Sequence, residues 1–157
     1  MEFYPVCKVS EGFLSVLPHP AKEGNLEENI ASMKEKGVDV LISFLKYEES
    51  YELGLKDQEK HCTNHQVLFL NFPVEDGELP EDKEYAEEFL KDMTSLLKRG
   101  KHLALHCKGG RGRTGTFAGA LMKISGMDPE SIFTTLSEAR GAQMPSTDQQ
   151  KEWALQW

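Results

Sequence analysis

Apolar residues along this chain follow two rhythms: short unbroken runs, and positions spaced three or four apart. The runs Val38–Phe44, Val67–Phe72 and His102–His106 are too short for helices, which predicts buried strands. Two further strand-like pieces, Val6–Val9 and Phe13–Leu17, precede them. Helical spacing sets in over Leu26–Lys36, where Leu26, Ile30 and Met33 share a face and Gly37 supplies a stop. It returns over Tyr85–Arg99, with Phe89, Met93, Leu96 and Leu97 on one face and Gly100 behind. Glu48–Cys62 reads as one or two short helices, and Pro73–Pro80 as a loop. Arg113–Ser125 is a helix that stops at Gly126. Asp128-Pro129 opens another through Arg140, because proline suits a first helical turn. Ser146 or Thr147 caps a last helix running to Trp157. Helices alternating with buried strands predict an α/β fold, a central and mainly parallel sheet flanked by helices.

A length of 157 residues fits one domain spanning 1–157, since single domains hold roughly 100–200 residues. No repeat or low-complexity tract divides it. Hydrophobic residues at 39% supply one core, and 28% charged residues supply a soluble surface. The start, Met1-Glu2-Phe3-Tyr4-Pro5, lacks the basic and apolar regions of a secretory signal. No apolar run approaches the ~20 residues of a membrane span. Three cysteines, Cys7, Cys62 and Cys107, have no paired spacing, so a reducing, cytoplasmic compartment is expected. A net charge of −8 disfavours nucleic acid and stable membrane association. With no heptad seam, a monomer is expected.

Against that acidic background, Lys108, Arg111 and Arg113 stand together with no acid between them. They belong to His106-Cys107-Lys108-Gly109-Gly110-Arg111-Gly112-Arg113-Thr114-Gly115. A cysteine ends a strand, glycines follow, and an arginine opens a helix. Gly109, Gly110 and Gly112 let backbone N–H groups turn inward without a Cβ clash and form a concave nest for an anion. The helix N-terminus behind adds partial positive charge. Such places lower a thiol's pKa from about 8.5 into a range of about 3.5–7.5, which makes Cys107 a candidate nucleophile. Arg113 can return across the loop and grip two phosphate oxygens with its planar fork. The Thr114 hydroxyl can steady the thiolate, and His106 is expected to orient the loop. Gly110-x-Gly112-x-x-Gly115 also matches a dinucleotide-binding pattern. That reading needs a strand and an acid about 20 residues on, where Asp128–Arg140 is helical.

The ten residues resemble the signature of the protein tyrosine phosphatase superfamily, His-Cys-x5-Arg-Thr/Ser. Upstream, Phe72-Pro73-Val74-Glu75-Asp76-Gly77-Glu78-Leu79-Pro80 resembles the general-acid loop of its dual-specificity branch, with Asp76 in the place of the acid. The compact kinase-associated and cell-division-cycle types are the most similar. The resemblance implies that Cys107 forms a cysteinyl-phosphate, that Asp76 protonates the leaving group, and that neither metal nor cofactor takes part. It also implies a water-positioning glutamine, which Gln149 and Gln150 match equally well. Glu75 is the next candidate acid should Asp76 be misplaced. The short chain has no segment to deepen a phosphotyrosine pocket, so phosphotyrosine, phosphoserine and phosphothreonine in proteins are the expected substrates. A phosphoinositide or inositol polyphosphate substrate is the alternative, given Lys108 and Arg111. A silent phosphate-binding module is the third reading.

Overall fold

Five segments form one sheet: β1 (Tyr4–Val9), β2 (Gly12–Leu17), β3 (Val40–Ser43), β4 (Leu68–Asn71) and β5 (His102–His106), in the spatial order β1-β2-β5-β3-β4. This computed structural model describes all residues from Met1 to Trp157. The β1–β2 hairpin is antiparallel, whereas β2–β5, β5–β3 and β3–β4 are parallel. Parallel neighbours cannot be joined by tight turns, so helices carry the crossovers. The helices are α1 (Leu26–Glu35), α2 (Tyr47–Glu52), α3 (Gln58–Asn64), α4 (Lys83–Lys98), α5 (Gly112–Ile124), α6 (Pro129–Arg140) and α7 (Asp148–Leu155); the first four carry the crossovers and the last three follow β5. The expected α/β class, with a mainly parallel sheet between helices, is what the chain adopts.

Alternation along the strands sorts the core into two layers, because successive side chains point to opposite faces. Leu14, Val16, Val40, Ile42, Leu103 and Leu105 join the larger core, with Leu90 and Met93 of α4, Phe117 of α5, Ile132 of α6 and Trp153 of α7. The intervening Leu17, Leu41 and Ala104 pack on the other face against Ile30 and Met33 of α1 and Cys62 of α3.

The helix that matters for the site, α5, is buried continuously from Arg113 to Met122. Phe117 stacks on Phe44 at 4.4 Å between ring centres and lies 5.4 Å from Trp153. Two glycines permit this enclosure: a Cβ on Gly115 would lie 2.8 Å from Pro145 Cα, and one on Gly119 would lie 2.9 Å from the Phe133 ring. An enclosed helix holds its N-terminus in a fixed place.

Some expectations change. The Val67–Phe72 run was expected to be a buried strand, but β4 is the edge of the sheet and Leu68 is 49% exposed. Only β3 lies beside it, so one flank has no neighbour. Glu48–Cys62 resolves into α2 and α3, two short helices. Thr147 rather than Ser146 caps α7: its hydroxyl accepts the Gln150 N–H at 3.1 Å, and the helix ends at Leu155. No helix is long and apolar enough to cross a membrane.

Candidate active site

The central strand β5, flanked in parallel by β2 and β3, delivers His106 and Cys107 to the carboxyl edge of the sheet, where α/β folds place their ligands. Residues 108–111 then turn into α5.

Each carbonyl of the turn is held by a donor outside it. Cys107 O lies 3.0 Å from His106 Nδ1, and Lys108 O accepts the His19 N–H at 3.0 Å. Gly109 O and Gly110 O accept from the Arg140 guanidinium at 2.9 and 3.3 Å. Arg111 O accepts the Gly115 N–H, and Gly112 O accepts the Thr116 hydroxyl. With the carbonyls turned outward, the N–H groups of residues 108–113 have no acceptor within the chain. Gly110 makes the turn possible, with φ at +70° and no room for a Cβ against the Leu17 carbonyl. Lys108 and Arg111 are exposed, and Arg111 Nε donates to Gln143 O at 3.3 Å.

Cys107 is 3% exposed, and the Thr114 hydroxyl donates to its sulfur at 3.1 Å. His106 is fully buried, with Gln58 Oε1 2.7 Å from Nε2. Burial is the largest of the forces that push its pKa down, to about 4, with His19 and Arg113 adding repulsion and the Cys107 carbonyl opposing. A neutral imidazole has one N–H for two oxygen neighbours. Both contacts are satisfied when Nδ1–H donates to Cys107 O and the Gln58 amide turns its NH2 toward Nε2.

In the unfolded chain this histidine takes up a proton near pH 6.5, and in the fold only near pH 4. The contribution of His106 to stability is therefore complete above about pH 6.5 and is lost progressively as pH falls toward 4. The shift corresponds to on the order of 3 kcal/mol. Urea unfolding at pH 7 and pH 4.5 is expected to show a smaller acid loss in His106→Asn than in the wild type. Equal losses would contradict it.

Arg113 is 2% exposed and is the most enclosed charge of the chain. Its Nη1 and Nη2 donate to the two oxygens of Glu49 at 2.8 and 3.1 Å, and Nη1 also donates to Val74 O at 2.9 Å. Burial, the largest single effect, works against the Arg113 charge, but Glu49, Cys107 and Asp76 together outweigh it and raise the pKa. Burial likewise opposes the Glu49 charge, yet hydrogen bonds from Arg113 and the Lys46 N–H hold its carboxyl below the ordinary value. Nε of Arg113 is buried with no partner in the chain. The guanidinium is thus clamped along one edge, which leaves the Nε–H and one N–H of Nη2 to offer.

The clamp also positions the loop after β4. The Val74 N–H donates to Phe44 O while Val74 O accepts from Arg113. Two residues on, Asp76 brings Oδ1 to 3.4 Å from Arg113 Nη2, with its side chain 74% exposed. Gly77, at φ +78°, turns the chain behind it. Glu75 is instead paired with Lys46 at 2.7 Å. Of the two glutamines, Gln149 is exposed and Gln150 is 1% exposed. Gln150 Oε1 accepts from the N–H groups of Ser146 and Thr147, and its buried Nε2 has no partner. A Cβ on Gly112 would lie 3.2 Å from that Nε2, which places the amide beside the start of α5.

The chain as a whole matches a known family of phosphatases. Residues 8–154 match the model described as the Swiss Army Knife protein, DSP-PTPase phosphatase domain. The chain belongs to this dual-specificity phosphatase family. Relatives of the phosphatase domain include the tyrosine-protein phosphatase CDC14 of Candida albicans, 27% identical over 113 residues, covering 71% of this chain and 20% of that protein. CDC14 of Saccharomyces cerevisiae is 37% identical over 62 residues, covering 40% of this chain and 11% of that protein. The phosphatase domain therefore spans a fifth or less of these two relatives. It shares its fold with a kinase-associated phosphatase crystallised with serine in place of its catalytic cysteine, at TM-score 0.85 and 19% identity, covering 98% and 92% of the two chains. It shares it also with PTPMT1 in complex with PI(5)P, at TM-score 0.73 and 16% identity, covering 98% and 92%.

Sequence reasoning brought Cys107, Arg113, Thr114, His106 and Asp76 to one place, and the fold puts them there. It did not find Glu49, Gln58, His19 or Arg140. A glutamate beside Glu48 and close to Glu52 carried no signal that set Glu49 apart. Arg140 had only the weak mark of a basic residue in a last helical turn.

Proposed function

We propose that the chain hydrolyses phosphate monoesters of proteins, phosphotyrosine together with phosphoserine and phosphothreonine, through a cysteinyl-phosphate. The observation that carries this reading is the row of unpartnered N–H groups from residue 108 to 113 that follows Cys107, together with the buried and unpartnered Arg113 Nε. Six N–H groups on a helix N-terminus form a receptor for a dianion.

In the first step the Cys107 sulfur forms a bond to phosphorus as the P–O bond to the substrate oxygen breaks. Asp76 donates its proton to that oxygen, which leaves as an alcohol or phenol. The loop N–H groups and Arg113 stabilise the equatorial oxygens, the largest single contribution. In the second step water attacks phosphorus, Asp76 takes its proton, and the sulfur leaves as a thiolate steadied by Thr114. The buried Gln150 amide, rather than the exposed Gln149, is the group we assign to orient that water. Glu75 is engaged by Lys46 and is not assigned a role.

Exposed Lys108 and Arg111 favour a second reading, an inositol phosphate carrying several phosphates. Against it stand Glu48, Glu75 and Glu81 around Lys46 and the exposed Asp76 at the rim, which repel a polyanion. Phosphate release from phosphotyrosine, phosphoserine and phosphothreonine peptides, compared with short-chain phosphoinositides and soluble inositol polyphosphates, tests the choice. Turnover of all three peptides at comparable kcat/KM, exceeding that of the inositol phosphates, is expected. A preference of several hundredfold for phosphotyrosine contradicts the dual specificity, and faster release from the inositol phosphates contradicts the protein substrate.

A further inference from the structure

Every peptide that turns its N–H into a nest turns its carbonyl outward, and a half-buried carbonyl needs a donor. In this loop most of that need is met locally. His106 sits beside Cys107 O, the backbone N–H of His19 donates to Lys108 O, and the first turn of α5 satisfies the carbonyls of Arg111 and Gly112. Gly109 O and Gly110 O, at the apex, depend on one side chain from another element. Arg140 Nη2 donates to Gly109 O at 2.9 Å, and Nε donates to Gly110 O at 3.3 Å.

Arg140 is itself held in place. It is the last residue of α6, a helix anchored by Ile132 and Leu136 in the larger core. Its guanidinium lies over the ring of Tyr4 in β1, 4.4 Å from the ring centre. Glu2 is near enough for the Arg140 charge to contribute to lowering its pKa, after its bond to Lys22. The planar fork meets two adjacent carbonyls on one edge and rests on an aromatic face. A lysine ammonium would present a point charge with no plane to stack and no fork to bridge both oxygens.

We propose that Arg140, braced by Tyr4, is a positioning residue for the phosphate loop. It fixes the peptides at Gly109 and Gly110 with their carbonyls outward, and so fixes the N–H groups of the next residues toward the bound phosphate. Gly109 and Gly110 have no side chains to lock these peptides, and Arg140 is the side-chain donor that both carbonyls share. The N-terminal strand thereby contributes to anion binding at a site it does not touch. The inference rests on the phosphate-loop reading of residues 107–113.

The test measures inorganic phosphate as a ligand and competitive inhibitor, beside kcat and KM on an aryl phosphate, for wild type, Arg140→Ala, Arg140→Lys and Tyr4→Leu. Two charge-assisted hydrogen bonds are at stake, so Arg140→Ala is expected to weaken phosphate binding and lower kcat/KM by about 10- to 100-fold. Millimolar guanidinium ion is expected to restore part of both, which a variant damaged only in stability would not show. Arg140→Lys and Tyr4→Leu are expected to fall several-fold, between the two. Arg140→Ala that folds as wild type does and binds phosphate within twofold of it overturns the proposal. If Arg140→Ala does not fold, Arg140→Lys and Tyr4→Leu both binding within twofold of wild type overturn it. Wild type that binds no phosphate overturns the loop reading beneath it, whereas equal binding by wild type and variants overturns the role of Arg140 alone.

Discussion

Arg113→Lys is expected to lower kcat/KM on an aryl phosphate by about a thousandfold, a loss at the upper end for one preorganised donor at a developing charge. The size follows from how the guanidinium is used. Nη1 and Nη2 are committed to Glu49, and Nη1 also to Val74 O, so the clamp leaves Nε and one N–H of Nη2 for phosphate oxygens. Lysine keeps the charge and loses the plane, so it cannot satisfy Glu49 and reach phosphate oxygens together. It also leaves part of the half-buried Glu49 carboxylate without its donor, beside a phosphate it repels. The loss is expected chiefly in kcat, because charge on the equatorial oxygens is bound most strongly in the transition state. Steady-state kinetics on the folded variant check it. A variant within tenfold of wild type would mean that Arg113 serves the fold and not the phosphate.

Asp76→Asn is expected to be nearly as damaging, but only where a proton is needed. On a phosphoserine peptide, whose alcohol is a poor leaving group, kcat is expected to fall about 100- to 1,000-fold, in the usual range for general acid catalysis. On an aryl phosphate with an acidic phenol the fall is expected to be much smaller, since that oxygen departs without protonation. The structure motivates this contrast. Asp76 is 74% exposed, with Oδ1 3.4 Å from Arg113 Nη2, so its carboxyl is open to solvent beside the arginine proposed to hold the phosphate. Equal losses on both substrates would show a positioning role through Arg113 instead. Loss in Glu75→Gln with Asp76→Asn unaffected would move the acid to Glu75, against its ion pair with Lys46.

The parts of this molecule legible in its sequence are those whose partners lie close along the chain. The spacing from Cys107 to Arg113 is a local property of one turn, and the glycines between them state the backbone's path. Thr114 meets the Cys107 sulfur because one turn of α5 brings it back. The strand β5 reads clearly because its middle, Leu103-Ala104-Leu105, is an unbroken apolar run buried on both faces. What could not be read depends on distant contacts. Glu49 meets Arg113 across 64 residues, Gln58 meets His106 across 48, and Arg140 meets Gly109 across 31. Nothing local distinguishes Glu49 from Glu48 beside it until α2 is placed against α5. The same holds for Gln149 and Gln150, whose burial depends on the phase of α7 and on Thr147 as its cap. The exposure of Leu68 had a similar origin, since an apolar run does not reveal whether a strand has one neighbour or two.

The most direct test of the central claim is to look for phosphate on Cys107. Asp76→Asn, which slows hydrolysis of the intermediate, would be mixed with an aryl phosphate in reductant without metal, quenched in acid, and examined by intact and peptide mass spectrometry beside Cys107→Ser. The account predicts one added phosphoryl group, located on the peptide containing Cys107, and no product release by the Cys107→Ser chain. Turnover by Cys107→Ser at a rate near that of wild type, or a phosphoryl group on another residue, would contradict it.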